Sequence, residues 1–294
     1  MEVVPVAAVA APRARVADFV ELTKPRITML VLVTTAVGYA LGLTGAFSAA
    51  ALGALLAGTA LVSCGASVLN QYAERDADAR MNRTEKRPLP SGRVTPADAL
   101  AFGLVLSAAG LGLLATVNGL TYILGAAALG SYVLAYTPLK RVTSLCTIVG
   151  AVPGAIPPLM GWAAARGTLG AGALALFAVL FLWQLPHFLA IGWIYREDYA
   201  RGGFPMLTVT DESGRSAGRQ AVLYAAALLP AALVAGELSA AGPVFLAGAL
   251  LLGGAFLYFA ASFARTRSLA SARWLFLASV LYLPAMLGLM VFDR

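Results

Sequence analysis

Apolar residues fill this chain in runs of about twenty, separated by short polar stretches. A bilayer core of about 30 Å takes about 20 helical residues to cross. Nine runs of that length are legible, at about 25–44, 49–71, 97–117, 119–137, 145–164, 170–193, 219–238, 242–263 and 272–291. The pattern predicts an all-α, polytopic membrane protein with nine transmembrane helices. It predicts a single domain over 1–294, with an N-terminal cytoplasmic segment at 1–22 and long loops at about 73–96 and 195–218. Thr, Gly and Pro interrupt spans four and five. In span five, Pro153, Pro157 and Pro158 each lack a backbone donor. Lipid cannot satisfy the carbonyls this frees, so the segment either lines a cavity or packs as a kink against protein.

The polar positions are as ordered as the apolar ones. All of the 21 lysines and arginines except Arg166 and Arg294 fall at the N-terminus or in loops 2–3, 4–5, 6–7 and 8–9. The positive-inside rule makes that side cytoplasmic, with the N-terminus in and the C-terminus out. The opposite loops are short and nearly uncharged, so function is expected at the cytoplasmic face. Spans 1–4 and 5–8 resemble a loose parallel repeat, which brings the acidic ends of spans two and six to one face.

Composition narrows the class. The chain is 60% hydrophobic and 12% charged, where soluble domains carry about 25% charged residues. The net charge of +7 reads as topology, anionic lipid or an anionic substrate, not nucleic acid. Cys64 and Cys146 lack metal-type spacing and read as small buried hydrophobes. The N-terminal run VVPVAAVAAP has no basic residue before it, so span one, not a signal peptide, is the expected insertion signal. Only Lys24, Lys86 and Lys140 are lysines, a bias that points to a GC-rich bacterial genome and so to a bacterial inner membrane.

Three groups carry candidate chemistry. In NQYAERDADARMNRTEKRPLPSGR, residues 70–93, nine acidic and basic side chains crowd into the fourteen residues from Glu74 to Arg87. Asn70, Glu74 and Asp78 recur every four residues, one stripe of a helix. With Asp76 they read either as a hard-cation site for Mg²⁺ or as a solvated helix end with ion pairs such as Asp76 to Arg80. The end of span six, WQLPHFLAIGWIYREDYARGGFPML, places His187 and Asp198 eleven residues apart, on one stripe if the helix continues, with Gln184 and Tyr195 beside it. Glu197 and Asp198 form a second acidic pair. His187, the single histidine, is either a satisfied bundle residue, a haem-iron ligand, a substrate contact or a proton carrier. The third group is basic: Arg83, Lys86, Arg87 and Arg93, with Lys24, Arg26, Lys140 and Arg141 at neighbouring ends and Arg201 after span six. Arginine forks clamp phosphate or carboxylate, and positive-inside topology alone also accounts for such residues. Together the groups suit a lipid diphosphate bridged by Mg²⁺.

These blocks resemble those of the UbiA-type intramembrane prenyltransferases, and within them the haem-farnesylating subfamily. The resemblance covers about 18–215 in specific motifs, through ELTKPRIT, NQYAERDADARMNRTEKRPLPSGR, YTPLKR and WQLPHFLAIGWIYREDYARGGFPML. It implies nine helices around a central cavity open to the cytoplasmic side, Mg²⁺ as cofactor, and transfer of farnesyl from farnesyl diphosphate to the 2-vinyl group of haem B, with water addition, giving haem O. It implies that Asn70, Glu74 and Asp78 hold the metal, with Asp76, Glu197 or Asp198 as further ligands. Lys24, Arg26, Arg83, Lys86, Arg87, Arg93 and Arg201 would then hold the diphosphate, and His187, Lys140, Arg141 and Tyr195 the haem. Glu74 stands where the wider family has Asp. Tyr195 and Tyr199 stand where the second DxxxD motif has its outer acids. A haem A synthase or an oxidase assembly is the implied partner. The competing readings are a prenyltransferase for an aromatic quinone precursor, a secondary transporter and a non-catalytic haem carrier.

Overall fold

A computed structural model describes residues 14–294. Arg13 and the run before it lie outside the described residues. Among the described residues the chain is helical with no strand, and nine helices are long and apolar enough to span a membrane. The protein is a multi-pass membrane protein.

A short helix α1 (Val16–Leu22) precedes the first span, α2 (Pro25–Gly42). The next spans are α3 (Ala49–Asp78) and α4 (Pro96–Val117). The fourth is composite: α5 (Gly119–Gly130), a π-helical turn (Ser131–Tyr136) and α6 (Thr137–Leu139). The remaining spans are α7 (Cys146–Arg166), α8 (Ala171–Ile194), α11 (Arg215–Leu238), α12 (Pro243–Thr266) and α13 (Leu269–Phe292), with short helices α9 (Arg196–Gly202) and α10 (Leu207–Thr210) after α8.

Local chemistry sets the ends. Ser48, Thr95, Asn118 and Ser268 accept N–H groups of the first turns of α3, α4, α5 and α13, satisfying donors that lipid cannot. Asn118 also donates to the Ala163 carbonyl at 2.9 Å, which ties the start of α5 to α7.

Small residues bring the spans together, as expected where lipid tails compete with every apolar contact. On the α3–α4 seam, a Cβ at Gly65 would lie 2.3 Å from Ser107 Oγ. The close approach turns the opposite face of α3 inward, the face that carries Asn70, Glu74 and Asp78. At the α2–α7 crossing, a Cβ at Gly38 would lie 2.1 Å from the Pro158 carbonyl oxygen. The proline segment is therefore mostly buried against protein. Because the obstacle at Gly38 is backbone, Gly38→Ala is expected to cost at least about 1–3 kcal/mol. A thermal-unfolding midpoint in detergent well below that of the parent checks it.

Two sequence expectations change. Span two does not end at 71: α3 runs thirty residues to Asp78, so the polar stripe stands on one unbroken helix. Span six does not carry His187 and Asp198 on one stripe. The helix breaks at Tyr195 (φ −110°, ψ 23°) and restarts at Arg196, so Asp198 belongs to α9.

Candidate active site

The inward stripe of α3 is buried where the sequence left a solvated helix end open. Asn70 and Glu74 are each 3% exposed and Asp78 is 1% exposed, so each charge there needs a partner. Glu74 takes Lys140, whose Nζ lies 2.8 Å from both carboxylate oxygens. Lys140 also sits over the rings of Tyr136 and Phe204, at 5.3 and 4.9 Å. Burial works against its charge, but the Glu74 carboxylate, together with Tyr199 and Tyr132, outweighs this and holds the ammonium above the ordinary lysine range. Asp78 takes Arg87, with Nη1 to Oδ2 at 2.8 Å. Its other oxygen, Oδ1, is buried and has no partner.

Arg87 reaches Asp78 because the loop after α3 folds back. The Thr84 hydroxyl donates to the Asp78 carbonyl at 2.8 Å. Pro88, Leu89 and Val94 are buried beneath α1 and α4, which pins Arg87 beside the end of α3. Lys24 enters from the N-cap of α2. Its backbone is left-handed (φ 51°) directly before Pro25, a conformation disfavoured for a non-glycine residue and common at functional sites. Its Nζ lies 3.5 Å from Asn70 Oδ1. Burial, reinforced by the like charges of Arg87 and Lys140, pushes Lys24 down to about 7 against the opposing pull of Glu74 and Asp78. Lys24, Asn70, Glu74, Asp78, Arg87 and Lys140 thus form one cluster.

The second acidic group meets the first through its loop. Asp198 accepts the Asn82 backbone N–H at 3.1 Å and pairs with Arg201. Arg80 donates to the Gly202 carbonyl at 2.8 Å. The guanidinium of Arg83 lies 4.6 Å from the Tyr195 ring and 5.3 Å from the Tyr199 ring, and donates to the Tyr199 hydroxyl at 3.3 Å. The tyrosines at the outer positions of the second motif therefore hold an arginine rather than a metal.

Other predicted residues stand apart from the cluster. Asp76 is exposed and pairs with Arg75 at 3.7 Å rather than with Arg80. Glu197, Arg26 and Lys86 are exposed. Gln184 donates to the Ala151 and Leu180 carbonyls, inside the α7–α8 packing. Arg141 donates to the Ala73 carbonyl at 2.8 Å. The His187 Nδ1 is 2.7 Å from Ser279 Oγ, and its ring stacks on Trp183.

Arg93, expected on the diphosphate, is a staple instead. It pairs with Asp18 and Glu21 of α1 and donates to the Lys86 carbonyl. The Arg15 backbone N–H, with Arg93, holds Asp18 below the ordinary aspartate range. A depressed carboxyl stabilises the fold above its unfolded pKa, and that stability is lost as pH falls through the folded value. Arg93→Gln should leave anion affinity at the cluster within about two-fold, since its fork is committed elsewhere. The difference in thermal midpoint between parent and Arg93→Gln should shrink as pH falls from about 5 to about 3, which pH-resolved melting checks.

Among the described residues no three His, Cys, Asp or Glu side chains converge to hold a metal. The donors that remain are the orphaned Asp78 Oδ1 and the Asn70 oxygen. That set fits Mg²⁺, which takes one or two carboxylates and completes its shell with substrate phosphate and water. It does not fit a six-ligand protein cage. Glu74 and Asp198 already have cationic partners. Tyr136 and Thr137 belong to none of the three candidate groups in the sequence. Their signal was Pro138, which disturbs the helix that carries them.

A bundle with nine spans among the described residues, whose buried acids meet lysines and arginines at one end, defines a class, the membrane-embedded enzyme that holds an anionic headgroup beside an apolar interior. The chain belongs to the UbiA prenyltransferase family, whose model matches residues 31–281, and is a polyprenyltransferase. It is similar to the protoheme IX farnesyltransferase of Solibacter usitatus, with 49% identity over 74% of this chain and 78% of the relative. It is also similar to that of Koribacter versatilis, with 45% identity over 76% and 75%. Among solved structures, a digeranylgeranylglyceryl phosphate synthase matches 94% of this chain and 97% of its own at TM-score 0.79 and 16% identity. A UbiA homolog from Archaeoglobus fulgidus bound to GPP and Mg²⁺ matches 93% and 99% at TM-score 0.65 and 13% identity. These two share the fold.

Proposed function

We propose that this protein transfers the farnesyl group of farnesyl diphosphate to the 2-vinyl group of haem B, with addition of water, giving haem O and diphosphate. The observation that carries the reading is the buried cluster on α3, where Asp78 Oδ1 has no partner beside three cationic side chains. The half-identical relatives that bear the protoheme IX farnesyltransferase name support haem as the acceptor, and the magnesium-bound fold neighbour supports the metal.

Asn70 and Asp78 would hold Mg²⁺, which supplies neutralisation of the diphosphate when bound. Lys24, Arg87 and Lys140 take the remaining anionic charge, with Arg83 held between Tyr195 and Tyr199 at the rim. The carbon–oxygen bond then breaks, its electron pair leaves with the diphosphate, and an allylic cation remains. The vinyl π pair closes the new carbon–carbon bond. Water adds to the resulting cation and loses a proton. Burial of the cluster strengthens each of these electrostatic contacts.

For haem, Arg141 offers a propionate contact at the same end. His187 offers iron its Nε2: Ser279 Oγ lies 2.5 Å from the Phe276 carbonyl and donates to it, so it accepts from Nδ1–H and leaves Nε2 with the lone pair. By the positive-inside rule the cluster faces the cytoplasm of a bacterial cell, with the N-terminus in and the C-terminus out. A haem A synthase or an oxidase assembly would consume the product.

The deciding experiment supplies labelled farnesyl diphosphate with either haem B or 4-hydroxybenzoate to the purified protein. Label in haem O, identified by mass spectrometry, is expected. Label in the benzoate alone overturns the acceptor, and passage of substrate across vesicles without covalent product overturns the enzyme.

A further inference from the structure

The fourth span widens at the depth of the cluster. Residues 131–136 form a π-helix, and the Thr137 backbone N–H bonds the Tyr132 carbonyl five residues back. The cause is local. Pro138 has no N–H, and in a regular α-helix its ring would press on the carbonyl four residues earlier. Widening the turn relieves that contact, and π-turns of this kind recur at functional sites.

The widened turn gives Thr137 a defined task. Its hydroxyl lies 2.9 Å from the Tyr132 carbonyl, which can only accept. The hydroxyl proton is therefore spent, and the oxygen is left to accept. Asn70 Nδ2 donates to it at 3.1 Å. At the other end of the amide, Lys24 Nζ faces Oδ1 at 3.5 Å, and its ammonium form donates to it. Thr137 requires this orientation of the Asn70 amide, and the ammonium form of Lys24 favours the same one. Asn70 and Thr137 are each 3% exposed, so water does not compete for these bonds.

We propose that Thr137 is a positioning residue. Its hydroxyl, set by the π-turn at Pro138, holds Asn70 with the amide oxygen toward Lys24 and the metal–diphosphate site. The proposal rests on the reading of Asn70 as a metal-site oxygen. Without the hydroxyl, nothing else hydrogen-bonded to Asn70 distinguishes its two amide orientations except Lys24. A flipped amide would aim an NH₂ group at a cation.

The test titrates Mn²⁺ in the presence of farnesyl S-thiolodiphosphate, an unreactive analogue, and reads bound metal by electron paramagnetic resonance. Thr137→Val keeps the shape and removes the hydroxyl. Thr137→Ser keeps the hydroxyl and removes the methyl. Loss of a second-shell hydrogen bond to a metal ligand costs about 10- to 100-fold in affinity, so Thr137→Val should weaken Mn²⁺ binding by about that factor while Thr137→Ser stays within about two-fold. The Michaelis constant for Mg²⁺ should rise in parallel. Parent-like Mn²⁺ affinity in Thr137→Val, or equal losses in Thr137→Val and Thr137→Ser, overturns the proposal. If Thr137→Val does not give monodisperse protein, Thr137→Ala makes the same comparison. Asn70→Ala separates the two levels. If it leaves Mn²⁺ affinity unchanged, the metal reading itself falls. If it weakens binding while Thr137→Val does not, only the positioning role falls.

Discussion

Asp78→Asn lowers kcat by about 10²- to 10³-fold, the loss typical of removing one preorganised electrostatic group from a reaction centre, and leaves the bundle folded. The carboxylate has two tasks on two oxygens. Oδ2 holds Arg87 at 2.8 Å, and Oδ1 is buried with no protein partner. Asparagine preserves the shape but has one acceptor oxygen. If that oxygen faces Arg87, an NH₂ group faces the cation site. If it faces the cation site, the NH₂ group opposes the guanidinium. Either orientation removes one function and the formal charge with it. Labelled-substrate turnover, measured with the thermal midpoint over a range of Mg²⁺ concentrations, checks the result. Activity within a few-fold of the parent at ordinary Mg²⁺ concentrations sinks the assignment.

Lys140→Met should be the most destabilising single change at the site. Glu74 and Lys140 face each other through two 2.8 Å contacts, with side chains 4% and 11% exposed. Removing one member of a buried pair strands the other charge and costs about 3–5 kcal/mol. Replacing both, as Glu74→Gln with Lys140→Met, removes the stranded charge and should restore most of the thermal midpoint. Farnesyl transfer should remain lost in the double variant, because the cation beside the diphosphate is gone. A double variant that melts as low as the single one would show that Glu74 is not the reason Lys140 is needed for stability. The pair also explains why glutamate stands at 74. The arm is one methylene longer than aspartate and meets the Lys140 ammonium with both oxygens. In this structure Glu74 holds Lys140 in place and is not the free metal oxygen expected from the motif.

Asp198 and the tyrosines beside it follow the same logic. In sequence, Tyr195 and Tyr199 look like losses from an acidic motif. In space they form the two faces that hold Arg83, and Asp198 fastens α9 to the loop after α3. The residues that look weakest in the motif are those that join the two loops.

Span number, the side that carries the basic residues, and the residue types of the cluster were determined by the sequence itself. The reason is that bilayer crossing depends on runs of apolar residues, and runs are a property of the chain taken in order. The polar stripe was legible for the same reason, because Asn70, Glu74 and Asp78 lie on one helix at helical spacing. Tertiary structure decided which charges meet. Lys140 is 66 residues from Glu74 and Asn82 is 116 from Asp198, and no local rule pairs positions that far apart. It also decided the break at Tyr195 and the left-handed turn at Lys24, whereas the π-turn answers a residue of its own segment, Pro138. The first two are local geometries that a single sequence permits but does not require: the Tyr195 ring meets Arg83 of the loop after α3, and the Lys24 side chain meets Asn70 of α3. Burial then did what composition could not: it left Asp78 Oδ1 as the one carboxylate oxygen in the cluster without a partner.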